Sequence, residues 1–283
     1  MSNILNYIRN IFKVLIWPII FIVGQFLLVI IFGVIFNATK FNDIKLENKH
    51  LAKEEVTIIF NEYIKKEEYQ NELQNYILDN SLVITIITFI IFGFIFYKNY
   101  QKYKHMYNKK VSIKDIFILI ILGIILNLSY NLILSDLNNI VHFTNNYDAI
   151  NISVLIYIVC TGILGPILEE LLFRGIVFNK LKTFNKQMKS ILLVTLIFAL
   201  FHSNPVQMLY AFCLGFILVY VYEKHKNIMV PMLVHISSNI MNIFTCMLII
   251  NNNYLLNLFL LILSLIILII IYMKVIKKDL DTN

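Results

Sequence analysis

Long apolar stretches separated by short polar breaks recur along the whole of this 283-residue chain. Reading each stretch as one element predicts about eight spans, at roughly 12–36, 81–97, 113–134, 150–170, 190–203, 206–222, 228–250 and 254–273. Their lengths approach the roughly 20 residues that a helix needs to cross a bilayer. Lipid offers no partner to a backbone N–H or C=O, so such a run is read as a helix, whose hydrogen bonds are internal. The expected fold class is all-α: a polytopic transmembrane helix bundle, and hence an integral membrane protein. The first run is too long for a secretory leader and lacks a small-residue cleavage pattern, so it is expected to remain as an anchor.

The pattern changes once, between Asn37 and Asn80, where six Lys stand against nine Asp and Glu. Leu51, Ile59, Tyr63, Leu73 and Ile77 are scattered through it and predict an external helix or two. The organisation expected is therefore N-terminal spans over 1–149 with an external polar loop at 37–80, a core over 150–245, and a C-terminal span and basic tail over 246–283. No internal repeat or Pro/Gly linker marks a second domain.

Composition agrees with a bilayer setting, since 59% of residues are apolar and only 14% charged; a soluble domain carries roughly a quarter charged residues. The net charge of +7 sits in short clusters between apolar runs and not on an aromatic-interleaved basic face, which excludes nucleic acid as a partner. Loop topology accounts for it. Lys98, Lys102, Lys104, Lys109 and Lys110 follow the second run, Lys180, Lys182, Lys186 and Lys189 the fourth, Lys224 and Lys226 the sixth, and Lys274, Lys277 and Lys278 the last. The loops between these, SDLNNIVHFTNNYDA, SNPVQ and NNN, carry no Lys or Arg, so both termini are expected in the cytoplasm. Cys160, Cys213 and Cys246 have no CxxC spacing and support neither a disulfide framework nor a structural zinc site. The Ile, Asn and Lys bias fits an AT-rich genome, and the expected location is a bacterial cell membrane.

Against this background the stretch GPILEELLFRGIVF, residues 165–178, stands out, because it sets Glu169, Glu170 and Arg174 among Ile, Leu and Phe. Charges inside apolar helices are costly and tend to mark function. Glu170 and Arg174 are four apart, acid first, and share a helical face; Glu169 lies roughly 140° around from Arg174. One carboxylate can neutralise the arginine while the other points elsewhere. The alternative is that all three snorkel at a span end; Lys180 and Lys182, which mark a later border, count against it. Two further polar pairs lie in apolar runs, Phe198 with His202 and His235 with Asn239. Singly, each can be a packing contact. If the fourth and fifth runs form a hairpin turning near Lys186, Glu169 and His202 both stand roughly 25 Å from the turn and can face one another. His235 lies nearer its own loop, so it joins them only if its helix tilts or another breaks; Gly162, Gly165 and Pro166 are the candidate break.

A buried carboxylate beside an imidazole can activate water, and a second imidazole or a carboxamide N–H can hold a tetrahedral oxyanion. The same Glu and two His can instead ligate zinc, leaving a position open for water, although no HExxH is present. The ordered motifs EExxxR, FxxxH and HxxxN, here Glu169-Glu170-xxx-Arg174, Phe198-xxx-His202 and His235-xxx-Asn239, resemble those of the CPBP family of intramembrane proteases, which includes type II prenyl-CAAX endopeptidases and bacterial Abi-type proteins. The resemblance implies that Glu169 and His202 activate water, that Glu170 and Arg174 hold one another and orient the site, and that His235 and Asn239 bind the scissile carbonyl. It implies a hydrolase, in the family described both as a zinc metalloprotease and as metal-free, acting on a hydrophobic peptide or membrane-protein substrate. Two other readings stand beside it: a non-enzymatic binding or immunity protein that keeps the motif as structure, and a small transporter, which the lack of repeat symmetry disfavours.

Overall fold

The computed structural model describes residues 2–141, 154–202, 204–248 and parts of 259–267. The chain runs through α1 (Ser2–Glu47), α2 (Lys53–Tyr63), α3 (Glu67–Asp79), α4 (Ser81–Tyr100), α5 (Ile113–Val141), α6 (Val154–Lys182), α7 (Gln187–Leu200), α8 (Pro205–His225) and α9 (Met229–Leu248). Among the described residues there is no β-strand, only one antiparallel bridge between Asn108 and Asn227. The molecule is a polytopic helical bundle. By length and composition α1, α4, α5, α6 and α8 can each cross a membrane, and α7 is a shorter apolar helix. A count of eight needs α7, α9 and 254–273 as well. Most of that last stretch lies outside the described residues, as do the break at 142–153, the Asn251–Asn253 loop and Lys274, Lys277 and Lys278.

The polar segment at 37–80 is largely helical. Helix α1 continues through it to Glu47, and α2 and α3 fold back on that extension. The Glu55 carboxylate accepts from the Ala52 N–H at 2.8 Å and caps the start of α2, meeting a donor that the helix itself leaves unpaired. Tyr69 donates to Asn37 Oδ1 at 2.6 Å, the Phe36 ring packs against Tyr69 and Tyr76, and Lys40 pairs with Glu72. The scattered apolar residues thus mark two short helices whose buried side, with Val56 at its centre, rests on α1.

The apolar core gathers around α6, whose Leu172, Phe173, Ile176, Val177 and Phe178 are fully buried, with Phe96 of α4, Phe198 of α7 and Tyr222 of α8 packed against them. Phe12, Phe26 and Val34 of α1 and Phe94 of α4 point outward instead, where acyl chains suit them. At the basic end, Tyr107 stacks on Tyr222 with centroids 4.2 Å apart and donates to Glu223. Lys182 and Lys226 hold the same carboxylate at 2.8 and 3.0 Å. Burial and the bond to Glu223 push the Tyr107 phenol up from its ordinary value, so it remains a donor at neutral pH.

Helices α5 and α9 share the longest contact, and polar side chains line it. The Asn131 amide reaches Asn127 (2.7 Å), Asn242 (3.0 Å) and Thr245 (2.7 Å), while Ser129 of α5 donates to Ser264, beyond α9, at 2.8 Å. Such bonds contribute roughly 0.6–2 kcal/mol each in a membrane. The close approach depends on Gly123, where a Cβ would collide with the Val234 carbonyl and the Ser237 hydroxyl. Cys160 is buried and Cys213 faces outward, both as free thiols; the Cys246 side chain lies outside the described residues. Gly123→Ala is expected to destabilise the bundle by about 1–3 kcal/mol, the usual cost of overpacking, read as a lower midpoint of thermal denaturation in detergent. Gly33→Ala, where a Cβ would meet only the Leu73 methyl at 4.0 Å, is the control and leaves the midpoint within about 0.5 kcal/mol of wild type.

Candidate active site

Helix α6 does not break at Gly162, Gly165 and Pro166; it changes its winding. Residues Ile158–Leu164 and Leu171–Phe178 are π-helical, on either side of an α-helical turn at Gly165–Glu170. The Gly165 N–H donates to the Cys160 carbonyl, five residues back. Pro166 has no N–H to offer the preceding turn, and wider winding accommodates that gap without ending the helix. Asn179 steadies the second wide stretch, donating to the Arg174 and Gly175 carbonyls, both at 3.0 Å. Wide turns of this kind re-aim side chains and recur at functional sites.

The re-aimed side chains are the three charges. Glu170 and Arg174 are both fully buried and meet at 2.8 Å. Arg174 also donates from Nη2 to the Gly215 carbonyl of α8 at 3.0 Å and lies over the Phe198 ring, 4.6 Å from its centroid. His235 of α9 joins the same carboxylate, with Nδ1 2.9 Å from Glu170 Oε1. Its other ring nitrogen, Nε2, stands 3.8 Å from Glu169 Oε2. Both carboxylates therefore flank one imidazole, and Glu169 does not point elsewhere. The whole group is balanced in formal charge when His235 is protonated, with two carboxylates facing one guanidinium and one imidazolium.

Burial falls off sharply across this group. Glu170 and Arg174 are 0% exposed and His235 only 4%, whereas the Glu169 side chain is 21% exposed. Among the described residues, Glu170 Oε2 and Arg174 Nε are buried without a hydrogen-bond partner. His202 closes α7, its Nδ1 3.0 Å from the Phe198 carbonyl and its ring edge-on to Phe198 at 5.2 Å. Asn239 lies one turn beyond His235 and donates to the Thr161 carbonyl in the first π-helical stretch, at 3.0 Å. The structure thus brings Glu169, Glu170, Arg174 and His235 into one cluster, with His202 linked through Phe198 and Asn239 on its border.

Sequence reasoning missed three contributors. Gly215 lets α8 approach so closely that a Cβ there would lie 2.9 Å from the Phe198 ring, which brings its carbonyl to Arg174. It is the sole glycine in α8, and that was the available signal. Phe198 is a cation–π partner as well as a motif position, and Thr161 supplies the acceptor for Asn239. Among the described residues no three His, Cys, Asp or Glu side chains converge as a ligand set. The Phe198 carbonyl and Glu170 hold Nδ1 of His202 and of His235, which orients the two rings and leaves each Nε2 open.

Fold and cluster together define a helical membrane bundle with a charge-paired Glu/Arg/His centre. Residues 151–241 match the family model described as type II CAAX prenyl endopeptidase Rce1-like, so the resemblance read from the motifs holds over the segment that carries all seven motif residues. The chain is also 32% identical, over 87 residues, to the Bacillus subtilis (strain 168) protein described as "Putative membrane peptidase YdiL". That alignment covers 31% of this chain and 36% of the relative, about a third of each. No solved structure matches the chain.

Arg174→Leu strands a buried carboxylate and is expected to destabilise the protein by about 3–5 kcal/mol, measured as a loss of folded material and a lower denaturation midpoint in detergent. Glu169→Gln keeps the side chain's shape at a partly open position and stays within about 1 kcal/mol of wild type. Equal losses in the two variants would contradict this division between a buried support and an accessible carboxylate.

Proposed function

We propose that this chain is an intramembrane endopeptidase that hydrolyses a peptide bond in a hydrophobic peptide or membrane-protein segment. The observation that carries the reading is the 3.8 Å gap between Glu169 Oε2 and His235 Nε2. It is too long for a direct hydrogen bond, and a bridging water or a reacting carbonyl can occupy it. Glu169 is the general base. It takes a proton from water as the water oxygen attacks the scissile carbonyl carbon, and His235, donating from Nε2 with Nδ1 held by Glu170, stabilises the oxyanion. Glu169, assisted by His202, returns the proton to the amide nitrogen as the C–N bond breaks, which releases an amine and a carboxylic acid. Glu170 and Arg174 position His235, and Asn239 holds the border of the cleft against α6.

The Lys and Arg asymmetry supports both termini in the cytoplasm, and the Ile, Asn and Lys bias supports a bacterial cell membrane. An unprenylated hydrophobic segment is the preferred substrate. A second reading, a binding or immunity protein, draws on one observation: Asn239 and His202 each spend a polar group on a backbone carbonyl, as structural residues do.

The test is cleavage of a quenched hydrophobic peptide library by the full-length protein in detergent. Glu169→Ala is expected to lower the rate about 10²–10⁴-fold, the range that a general base supplies, while the melting midpoint is retained. Wild-type rates in Glu169→Ala would remove this carboxylate from the mechanism, and an unchanged biological effect without cleavage would favour the binding reading. A chelator is expected to leave the wild-type rate unchanged; its loss would restore the metal alternative. Cleavage confined to farnesylated peptides would overturn the substrate preference.

A further inference from the structure

A second polar site lies where α1 passes the end of α6, just beyond the charged motif in the chain. Asn10, Lys13 and Val14 of α1 face Lys180 at the end of α6, and Thr183 and Phe184 just beyond it, across a cavity of about 270 Å³. Ligand pockets for drug-sized molecules run roughly 300–1,000 Å³, so this one is of headgroup size and too small for a folded peptide. Two lysines line it, and Lys102, from the turn after α4, adds its field to theirs at Lys180. Among the described residues neither Lys13 nor Lys180 is paired with a carboxylate. The contrast with Lys182 is local and sharp, because two residues along the chain that side chain is satisfied by Glu223.

Like charges repel, so three lysines held together without an acid leave a local deficit of negative charge. The fold holds them there nonetheless. The Lys180 ammonium sits over the Trp17 ring, 4.7 Å from its centroid, a contact that holds the cation in place without neutralising its charge. The Trp17 indole N–H, one turn along α1 from Lys13 and Val14, is buried and has no acceptor among the described residues. Two lysines without a carboxylate partner, the polar side chains of Asn10 and Thr183, and apolar walls from Val14 and Phe184 fit an anion carried at the end of a hydrocarbon tail.

We propose that this cavity binds a phosphate group, presented by the headgroup of an anionic membrane phospholipid. Basic pockets between transmembrane helices suit such headgroups, and each lysine near the membrane surface contributes about 1 kcal/mol of attraction. The lipid would then join α1 to α6, the helix that carries Glu169, Glu170 and Arg174.

Trp17 is the single tryptophan of the chain, so its fluorescence reads the site directly. Full-length protein in neutral detergent is titrated with phosphatidylglycerol, with phosphatidylcholine and with inorganic phosphate. The expected result is a saturable change with phosphatidylglycerol that is at least tenfold weaker in the Lys13→Gln/Lys180→Gln double variant and is kept in Lys180→Arg. Saturation by inorganic phosphate at comparable concentration, lost in the double variant, would support the phosphate site and transfer it from lipid to free anion. No saturable change with either, an unaltered affinity in the double variant, or equal binding of phosphatidylcholine in both proteins would overturn the proposal. Both substituted side chains reach solvent, and an unchanged melting midpoint shows that the variants remain folded.

Discussion

The contact between Glu170 and Arg174 constrains more of this protein than any other. Two full charges at 0% exposure each carry a desolvation cost of several kcal/mol, which the pair alone need not recover. What makes the burial tolerable is the number of groups that converge on it: the Gly215 carbonyl, the Phe198 ring and the His235 Nδ1. These come from α8, α7 and α9, so one ion pair on α6 dictates the positions of three other helices. In a bilayer, where apolar surface does not distinguish a neighbouring helix from lipid, such polar convergence supplies specificity that hydrophobic burial cannot.

Helix α6 is held at a second level by the basic end of the bundle. Lys182, eight residues beyond Arg174, reaches Glu223 of α8, and Tyr107 ties the turn before α5 to the same carboxylate. Helices α6 and α8 are thus joined twice, by Arg174 to Gly215 and by Lys182 to Glu223. Pinning at two heights restricts sliding and rotation of one helix against the other, which a site built from their facing side chains requires. The α5–α9 pair is secured separately by its asparagine ladder and the close approach at Gly123, and it delivers His235 from the opposite side.

Much of this was legible in the residues themselves. The EExxxR spacing gave the ion pair because residues four apart share a face in any helix close to α geometry, and the apolar runs gave the helices because lipid permits little else. What escaped was winding and partnership at a distance. The π-helical stretches leave no simple periodic mark, so the ideal-helix reading, which turned Glu169 away from Arg174, did not show that His235 stands between the two carboxylates. Tyr107 and Glu223 read as ordinary residues of a loop and a helix end, and only folding brings them together over 116 positions. The helices of the 37–80 segment left only a faint trace in the sequence because they bury few residues each, with Val56 and Tyr69 the buried ones in α2 and α3, too thin a stripe for a strong periodic signal.

The gradient of burial within the site follows from the work proposed for it. A group that supports others gains by being buried, since low dielectric strengthens its bonds and fixes its geometry; a group that exchanges protons with water must be reachable. Glu169 and Glu170 are adjacent in the chain and identical in chemistry, yet one is 21% exposed and the other 0%. His235 touches the buried carboxylate with one nitrogen and turns the other toward the accessible one, so a change of charge at Glu169 is felt at Arg174 through a single imidazole. A local alteration of α6 winding would move the two carboxylates to different depths, and it would break this linkage without removing any residue. The wide turns are therefore as much a part of the candidate site as the charges they carry.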